Sequence, residues 1–405
     1  MENKPYAMIF SRKFSSVLLS ANHDDRKKIK GGIMNVLHLI SGNETGGGMV
    51  HVLSLLNILK EEINTTLGVF HDEEMAKRAR NLGINVHVFK QKSRLDLSIT
   101  KQIKNYIDDN DIHILHTHGA RANFIAQFIS KKVRCPWVIT VHSDPHDDFL
   151  NKGIIGKIFT NLNIRALKSA DYIIAISEMF KENLESIGIG SEKIETIFNG
   201  INFQIEPKAQ YKREDFGLQP DDFVILMVAR LEPVKCHEIA FQALKQLLAK
   251  SDKFHLMLIG EGSRHNELVK KANEYGISDH VKFLGHRDDA TELYTIGDIT
   301  ILTSKSESFP LVLLESARAK KPVITTDVGG VRDLIPTSDY GYIINVGDYT
   351  DLAEKIWAYQ ELKEKGTLHE VGERLFNHAS KHFSDEKFAK SVLFIYKKIL
   401  GKSNE

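Results

Sequence analysis

The sequence has few cysteines, no long apolar run and almost no net charge. Its 405 residues include only two cysteines, Cys135 and Cys236, which are far apart and have no CxxC partner. A disulfide framework or a structural zinc site is therefore not expected, and the pattern suits a reducing cytoplasm. No apolar run approaches the length of a membrane-spanning helix. The formal net charge of +1 offers no global basic field, so no nucleic-acid partner is predicted.

Two common nucleotide-binding motifs are also missing. No GxGxxG follows the first predicted strand, which argues against a nicotinamide-dependent dehydrogenase, and no phosphate loop ends in Gly-Lys-Ser/Thr. The glycine turn that does occur, Gly46-Gly47-Gly48, follows a strand-like run and opens a helical run. Glycines there allow backbone N–H groups to approach a diphosphate. A tight turn without a ligand is the alternative interpretation.

The patterns that are present indicate a two-domain α/β protein. A chain of this length with 42% hydrophobic and 26% charged residues is typical of a globular protein with two domains. Short apolar runs alternate with amphipathic stretches from Met34 onwards, and the alternation restarts at Phe223 after a polar linker. This pattern predicts two Rossmann-like, doubly wound parallel sheets that face each other across a cleft. The predicted units are residues 34–205, residues 206–380 and a C-terminal helix in 381–405 that packs back toward the first domain.

Residues 1–33 do not fit this pattern. Their apolar stretch is broken by charge and lacks a small-residue cleavage site, which argues against a signal peptide. We expect a poorly ordered extension whose deletion leaves fold and activity intact. A membrane-touching arm is the alternative.

The most informative segment is 307–315. A strand-like apolar run precedes it, and Pro310 stands where a helix should begin, so a helix from Leu311 to Arg318 is predicted. Glu307 then lies in a strand-to-helix loop and Glu315 lies within the helix. The free N–H groups at the helix start suit an anion, and carboxylates beside them suit sugar or ribose hydroxyls. Acidic residues near a favourable helix N-terminus are the simpler alternative.

Two cations bracket another predicted loop. Arg230 and Lys235 follow the first strand of the second domain, at its carboxyl end, where ligands of such sheets bind. An Arg fork and a Lys point charge there can converge on one phosphate-bearing ligand. A pair of solvated surface cations is the alternative.

Three histidines stand at strand ends in the first domain. His142 closes a predicted strand, where a neutral imidazole can exchange a hydrogen bond with a sugar hydroxyl. His116 and His118 are two residues apart on another strand and point the same way, as a metal pair would. We favour hydrogen bonding over metal binding, because the sequence offers no obvious third ligand.

Residues 151–170 mix apolar and basic side chains on a predicted helix. A basic amphipathic helix can lie on an anionic membrane surface. The more common outcome is that the apolar side packs against its own domain.

Taken in order, these segments resemble a retaining glycosyltransferase of the GT-B fold, most similar to glycosyltransferase family 4. The resemblance covers nearly everything from Met34 to about Leu400. It rests on the order and spacing of short segments at 46–48, 140–142, 199–201, 230–235, 260–262, 307–315 and 327–330. One departure stands out: the family usually carries Glu after its last Gly-Gly pair, whereas Val331-Arg332-Asp333 follows here.

The resemblance implies roles for the matching residues around the donor phosphates. Gly47 and the N–H groups of Leu311 and Val312 would contact the donor diphosphate. Arg230 and Lys235 would neutralise the leaving phosphate.

The resemblance also implies roles around the sugar. Glu307 would bind donor-sugar hydroxyls near the reacting carbon, Glu315 would bind the ribose hydroxyls, and His142 would hold the sugar from the opposite domain. Family members generally need no divalent metal, so neither a metal nor a cofactor is expected.

The implied substrates are a nucleotide-sugar donor, UDP-linked first and GDP-linked next, and a saccharide or lipid-linked acceptor. The setting would be cell-surface or exopolysaccharide assembly by a bacterial cytoplasmic enzyme that visits the inner face of the membrane, with residues 151–170 as the membrane contact. Two alternatives stay open. One is a sugar-nucleotide 2-epimerase on the same fold, and the other is a non-catalytic sugar-nucleotide-binding protein.

Overall fold

The computed structural model describes residues 33–44, 47–91, 96–145 and 153–402. The strands within these ranges are β1 Asn35–Ile40, β2 Asn64–Val69, β3 Asn85–Val88, β4 Ile114–His118, β5 Trp137–Val141, β6 Tyr172–Ala175, β7 Ile194–Thr196, β8 Phe223–Val228, β9 Phe254–Ile259, β10 Val281–Phe283, β11 Ile299–Leu302, β12 Val323–Thr326 and β13 Tyr342–Ile344. The helices are α1 Gly47–Leu59, α2 Glu74–Asn81, α3 Ile99–Asp109, α4 Ala120–Gln127, α5 Gly153–Ser169, α6 Glu178–Ser186, α7 His237–Leu248, α8 His265–Tyr275, α9 Ala290–Leu293, α10 Leu311–Arg318, α11 Val331–Leu334, α12 Tyr349–Glu364, α13 Leu368–His382 and α14 Asp385–Lys402.

The strands form two parallel sheets, one in each half of the chain. The first has the order β3-β2-β1-β4-β5-β6-β7 and the second the order β10-β9-β8-β11-β12-β13. Strand order reverses between β1 and β4 and again between β8 and β11, which is the doubly wound arrangement that places ligands at the carboxyl ends of the strands. The predicted fold class, two Rossmann-like domains, is confirmed.

The central strands are buried on both faces because helices cover both sides of each sheet. In β1, Val36 packs in an apolar cluster with α1 and α14, while Leu37 and Leu39 pack in a cluster on the opposite face. All three side chains are fully buried. Near-continuous apolar runs of this kind are what parallel strands require.

Two chain segments cross between the domains side by side. The N–H of Ile201 donates to Phe383 O at 3.0 Å, and the N–H of Asp385 donates to Ile201 O at 3.0 Å. Gly200 is required here, because a Cβ would stand 2.4 Å from Ser384 O. This crossing directs α14 back onto the first sheet, where it packs against α1.

The carboxyl edges of the two sheets face each other. Phe198 follows β7 in the first domain, and its ring centroid lies 6.0 Å from that of Phe309, which follows β11 in the second. Phe383 contacts both rings at 5.4 Å. A Cβ on Gly330, beyond β12, would stand 3.4 Å from the Cβ of Ser177, beyond β6. The loops expected to carry the site therefore meet at the domain boundary.

Some sequence predictions fall outside the described residues. These are the extension, apart from Ile33, the first glycine of the turn, Gly46, and the start of the 151–170 segment. Among the described helices, none combines the length and the apolar character that crossing a membrane requires.

Candidate functional site

A partly buried ion pair joins the loop after β8 to the loop after β11. Lys235 Nζ contacts Glu307 Oε1 at 2.5 Å, and the two side chains are only 15% and 14% exposed. Ser304 Oγ donates to the same carboxylate oxygen at 2.5 Å. The structure therefore joins two predicted site residues that are 72 positions apart in sequence.

Backbone and hydroxyl hydrogen bonds hold the loops that carry this pair. The N–H of Lys305 donates to Val234 O at 2.7 Å. The Thr303 hydroxyl, fully buried at the end of β11, donates to Lys235 O at 2.9 Å. The loop after β8 is thus fixed to the loop after β11, which limits how far Lys235 and Glu307 can separate.

The glycines near this pair are explained by close backbone packing. Gly329 has φ +58, and a Cβ there would stand 2.4 Å from Ser308 O in the Glu307 loop. Gly260 and Gly262 would place a Cβ within 2.4 Å of the backbone of the Ala229–Leu231 turn. These glycines are required by the close packing of the loops. A phosphate contact is therefore not needed to explain Gly260 and Gly262.

Helix α10 begins four residues after Glu307 and runs from Leu311 to Arg318, as the sequence predicts. Its N-cap is Pro310, whose apolar side chain cannot accept a hydrogen bond from the first N–H groups of the helix. Leu311 and Val312 are half-buried at this end. The helix therefore presents free donors and a positive dipole end next to the Lys235–Glu307 pair.

Glu315 lies one turn further along α10, in a more enclosed environment. Tyr294 Oη donates to its Oε2 at 3.3 Å and to Val312 O at 3.0 Å. Burial raises the pKa of Glu315, and the nearby Arg318 opposes part of that shift. Burial destabilises the charged carboxylate, and hydrogen bonds from added hydroxyl groups would stabilise it. Glu315 is therefore suited to accept hydrogen bonds from two neighbouring hydroxyls of a ligand.

Arg230 is placed differently from Lys235. It is exposed just after β8, and within the described chain its side chain interacts electrostatically with Glu232 but makes no recorded hydrogen bond or ion pair. Among the described residues, no contact joins its guanidinium to the Lys235–Glu307 pair.

The residue at the family's usual Glu position is Asp333 in α11. Burial, and then the nearby Glu178 of the first domain, raise its pKa to about 6. The backbone O of Asp333 also accepts from His378 Nε2 at 3.0 Å. The carboxyl thus lies against the domain boundary, where it gives up its proton at a higher pH than a free aspartate does.

In the first domain, Gly47 is the exposed first residue of α1. A Cβ on Gly47 or Gly48 would meet no atom within 4 Å, so space is open above this helix end. His51 follows one turn later on the same helix and is buried. Helix α1 therefore connects the glycine turn to the histidines described next.

Five histidines gather at the carboxyl edge of the first sheet. His38 pairs with His116 in register across β1 and β4, and His118 pairs with Thr140 across β4 and β5. Side chains two residues apart share a face, so these residues and His142 lie on one side of three neighbouring strands. His51 adds a fifth ring, with its centroid 4.4 Å from that of His142.

Burial disfavours the charged form of every ring in this cluster. Burial lowers the pKa of His38 to about 3 and that of His51 to about 4. Burial also lowers the pKa of His116, His118 and His142 well below the ordinary value, with repulsion from neighbouring rings adding to it. His142 itself is half-buried, and it directly follows the end of β5.

His38 and His51 were not among the predicted residues, and the expectation that the His116–His118 pair lacks a third possible ligand was wrong. The ring nitrogens of the five histidines form two groups that could hold a metal ion, His38/His116/His118 and His51/His118/His142. Within each group, one nitrogen from each ring lies within 4.8 Å of the others. The sequence does contain a signal for this cluster, because His38, His116 and His118 occupy alternate positions on two predicted central strands. In the first group every ring nitrogen already has a hydrogen-bond partner, which favours a hydrogen-bonding role.

Apart from the exposed Arg230, the predicted site residues thus fall into two groups on opposite sides of the boundary. Lys235, Glu307, Leu311, Val312 and Glu315 lie together on the second domain. His142 and Gly47 lie on the first domain, and no direct contact between the two groups is recorded among the described residues.

Comparisons with known proteins agree with this architecture. The family model described as Glycosyltransferase Family 4 matches residues 45–204, and the model described as Glycosyl transferases group 1 matches residues 209–373. The two matches divide the chain close to the crossing at Ile201.

Two relatives illustrate the similarity in sequence. The chain is 28% identical over 316 residues to N-acetyl-alpha-D-glucosaminyl L-malate synthase of Bacillus anthracis, covering 75% of this chain and 80% of the relative. It is 25% identical over 370 residues to an uncharacterized glycosyltransferase of Methanocaldococcus jannaschii, covering 87% and 95%.

Solved structures show the same fold. Anabaena HepE in complex with UDP superposes with a TM-score of 0.80 at 20% identity, covering 90% of this chain and all of that one. A glycosyltransferase from Rickettsia africae superposes with a TM-score of 0.78 at 21% identity, covering 91% and 99%. With both domains matched in sequence and in structure, the chain belongs to the family 4 glycosyltransferases of the GT-B fold.

Proposed function

We propose that this protein is a retaining glycosyltransferase that moves a sugar from a nucleoside-diphosphate sugar, UDP-linked first and GDP-linked next, to a saccharide or lipid-linked acceptor. The observation that carries the proposal is the Lys235–Glu307 pair at the free N-terminus of α10. The cation suits the negative charge of the phosphates, and the free N–H groups suit the phosphate oxygens. The carboxylate suits the hydroxyl groups of the sugar.

The hard step is breaking the bond between the anomeric carbon and the donor phosphate oxygen. Negative charge builds on the nucleoside diphosphate as this bond breaks, and it must be stabilised where it develops. Lys235 and the N–H groups of Leu311 and Val312 are positioned on one side of the boundary for that task. We assign Arg230 the same role. Its exposed side chain would have to change conformation to contact the diphosphate.

The remaining residues would orient the donor. Glu307 accepts hydrogen bonds from the sugar, Glu315 accepts from the ribose hydroxyls, and His142 holds the sugar from the first domain. Gly47 leaves room for the diphosphate above α1. We assign none of these tasks to a metal or a cofactor.

Retention follows if the acceptor oxygen attacks the anomeric carbon from the face that the diphosphate leaves. The carbon–oxygen bond to phosphate breaks as the new glycosidic bond forms. The acceptor's proton passes to a departing phosphate oxygen, so the products are a glycoside and the nucleoside diphosphate. Closure of the two domains would exclude water and limit hydrolysis of the donor.

Preference for a uridine donor is supported by the fold neighbours. Anabaena HepE has been solved in complex with UDP and with UDP-glucose. These complexes describe that protein, and they identify UDP as the first nucleotide to try here.

Thermal unfolding against UDP, GDP, ADP and their sugar conjugates tests the donor class. A ligand present at about a hundred times its Kd adds roughly 2.7 kcal/mol to the free energy of unfolding. We expect a clear rise in Tm with UDP and none with uridine, which lacks the diphosphate. A rise with GDP alone would replace the uridine preference, and no rise with any nucleotide would contradict the proposal. Product analysis of UDP-sugar incubated without an acceptor separates transfer from 2-epimerisation.

We further propose that the acceptor is lipid-linked and that α5 meets the inner face of the membrane. In α5, Ile158 is 54% exposed and Phe159 is 38% exposed, next to the exposed Lys157. Arg165 and Lys168 are exposed further along the same helix. Exposed apolar side chains flanked by cations suit an anionic lipid surface.

Cosedimentation with vesicles tests this contact. The protein should sediment with phosphatidylglycerol vesicles and not with phosphatidylcholine vesicles, and Ile158→Ser with Phe159→Ser should abolish the difference. Val346→Ser is the matched control, because Val346 is 46% exposed in the second domain. Equal sedimentation of both variants with anionic vesicles would contradict a contact through α5.

A further inference from the structure

A continuous chain of hydrogen bonds links the C-terminal helix to His142. Tyr396 Oη, on α14, lies 3.2 Å from His38 Nε2. His38 Nδ1 lies 3.0 Å from His118 Nε2, and His118 Nδ1 lies 3.1 Å from His142 Nε2. Each of these contacts is within hydrogen-bond distance, and Tyr396, His38 and His118 are at most 1% exposed.

The chain continues on the other side of Tyr396. Its hydroxyl lies 2.5 Å from His116 Nδ1, and His116 Nε2 lies 2.7 Å from Thr140 Oγ1. His116 is fully buried and Thr140 is 2% exposed. The full order is therefore Thr140, His116, Tyr396, His38, His118 and His142.

All bonds in this chain must point the same way. A neutral imidazole has one N–H donor and one lone-pair nitrogen, and a hydroxyl that already bonds two imidazoles donates to one and accepts from the other. Burial keeps these rings neutral. Two arrangements also give the buried Tyr396 O–H an acceptor, and they place the proton of His142 on different ring nitrogens, Nδ1 in one and Nε2 in the other.

The buried Thr140 hydroxyl selects between the two arrangements. If Thr140 donates to His116, every donor in the chain is paired except the N–H of His142 Nδ1, on a side chain that is only half-buried. If His116 donates instead, the Thr140 hydroxyl has no recorded acceptor among the described residues. Leaving the buried Thr140 donor without a partner destabilises the second arrangement, so the first is favoured.

In the favoured arrangement the proton positions are determined along the whole chain. His116 donates to Tyr396, Tyr396 donates to His38, His38 donates to His118, and His118 donates to His142 Nε2. The proton of His142 is then on Nδ1, the nitrogen that has no recorded partner in the described part of the chain.

We propose that Tyr396 is a positioning residue that, through His38 and His118, fixes His142 as a hydrogen-bond donor through Nδ1. The link is built by the crossing at Ile201 and Asp385, which brings α14 back from the second domain onto the first sheet. That His142 meets the donor sugar rests on the proposed function, whereas its proton position does not.

Nitrogen NMR of protein labelled with 15N-histidine reads the proton position directly. The signal of His142, assigned by its loss in His142→Asn, should show a protonated Nδ1 in the unsubstituted chain. Tyr396→Phe removes the hydroxyl that links His116 to His38, and nothing then favours protonation of His142 on Nδ1. His142 should therefore become a mixture of both tautomers. Thr140→Val should have the same effect from the opposite end of the chain.

Tyr359→Phe is the matched control. Tyr359 is 1% exposed, and its hydroxyl lies 3.3 Å from Val323 O in the second domain, with no contact to the histidines. It should lose comparable stability and leave the His142 signal unchanged. A His142 protonated on Nε2 in the unsubstituted chain, or a signal that responds equally to Tyr359→Phe and Tyr396→Phe, would overturn the proposal.

Activity gives a second readout. Tyr396→Phe should lower kcat of the proposed transfer about tenfold, the effect of losing roughly 1.4 kcal/mol of transition-state stabilisation, and should leave the affinity for UDP unchanged. A tautomer change with no detectable transfer in any variant would count against the proposed function alone. Unchanged kcat together with a changed tautomer would overturn the role of the chain in positioning His142 for transfer.

Discussion

Glu307→Ala is expected to lower turnover by about 100- to 1,000-fold, the range seen when one group that stabilises a transition state is removed. The affinity for UDP should not weaken. Glu307 is an anion 2.5 Å from the cation that we assign to the diphosphate, so its removal frees Lys235 for the ligand. Steady-state release of nucleoside diphosphate measures kcat, and calorimetric titration with UDP measures affinity.

Two variants control this experiment. Glu307→Gln keeps the size of the side chain and an acceptor for Ser304, so it separates loss of charge from loss of packing. Glu354→Ala removes an exposed carboxylate from α12 in the same domain and should leave both quantities unchanged. Turnover equal to that of Glu354→Ala would remove Glu307 from the site.

Lys235→Ala is expected to weaken UDP binding by about 100-fold. The substitution removes the cation from a loop in which it is 15% exposed, and it leaves Glu307 as an unpaired carboxylate beside the ligand phosphates. Losing one charge-assisted contact and gaining a repulsion each cost on the order of 1–2 kcal/mol, which together give this factor. Calorimetric titration with UDP measures the change, with uridine as the ligand without phosphate.

A double variant separates the two contributions. If repulsion by Glu307 contributes, Lys235→Ala with Glu307→Ala should bind UDP more tightly than Lys235→Ala alone. Lys270→Ala, which removes a lysine that is 79% exposed on α8, should bind UDP normally. Unchanged affinity in Lys235→Ala would contradict the placement of the diphosphate at this pair.

Local sequence patterns predicted the segment around Glu307 well. The apolar run, Pro310 and the helix that follows are all set by neighbouring residues, so the helix bounds of Leu311 and Arg318 could be read directly. The direct contact between Lys235 and Glu307 could not, because it depends on the order β8-β11 in the sheet and on the hydrogen bonds of Thr303.

The histidine cluster shows where single-sequence reasoning failed. His38, His116 and Tyr396 come from three distant parts of the chain, and they meet only because β1 pairs with β4 and α14 returns from the second domain. Gly200 illustrates the same point, since the reason for it is the backbone of Ser384, 184 positions later. Contacts across such separations are set by topology, which periodicity does not specify.

Hydrogen exchange of the unsubstituted protein with and without saturating UDP tests the donor site most directly. If the diphosphate binds at Lys235, Glu307 and the start of α10, backbone amides in 229–237 and 303–318 should exchange more slowly with UDP. Peptides that cover β2 and β3, at the far edge of the first sheet, should exchange at the same rate in both conditions. Slower exchange confined to the first domain, or bound UDP with no change in 303–318, would contradict the placement of the nucleotide on the second domain.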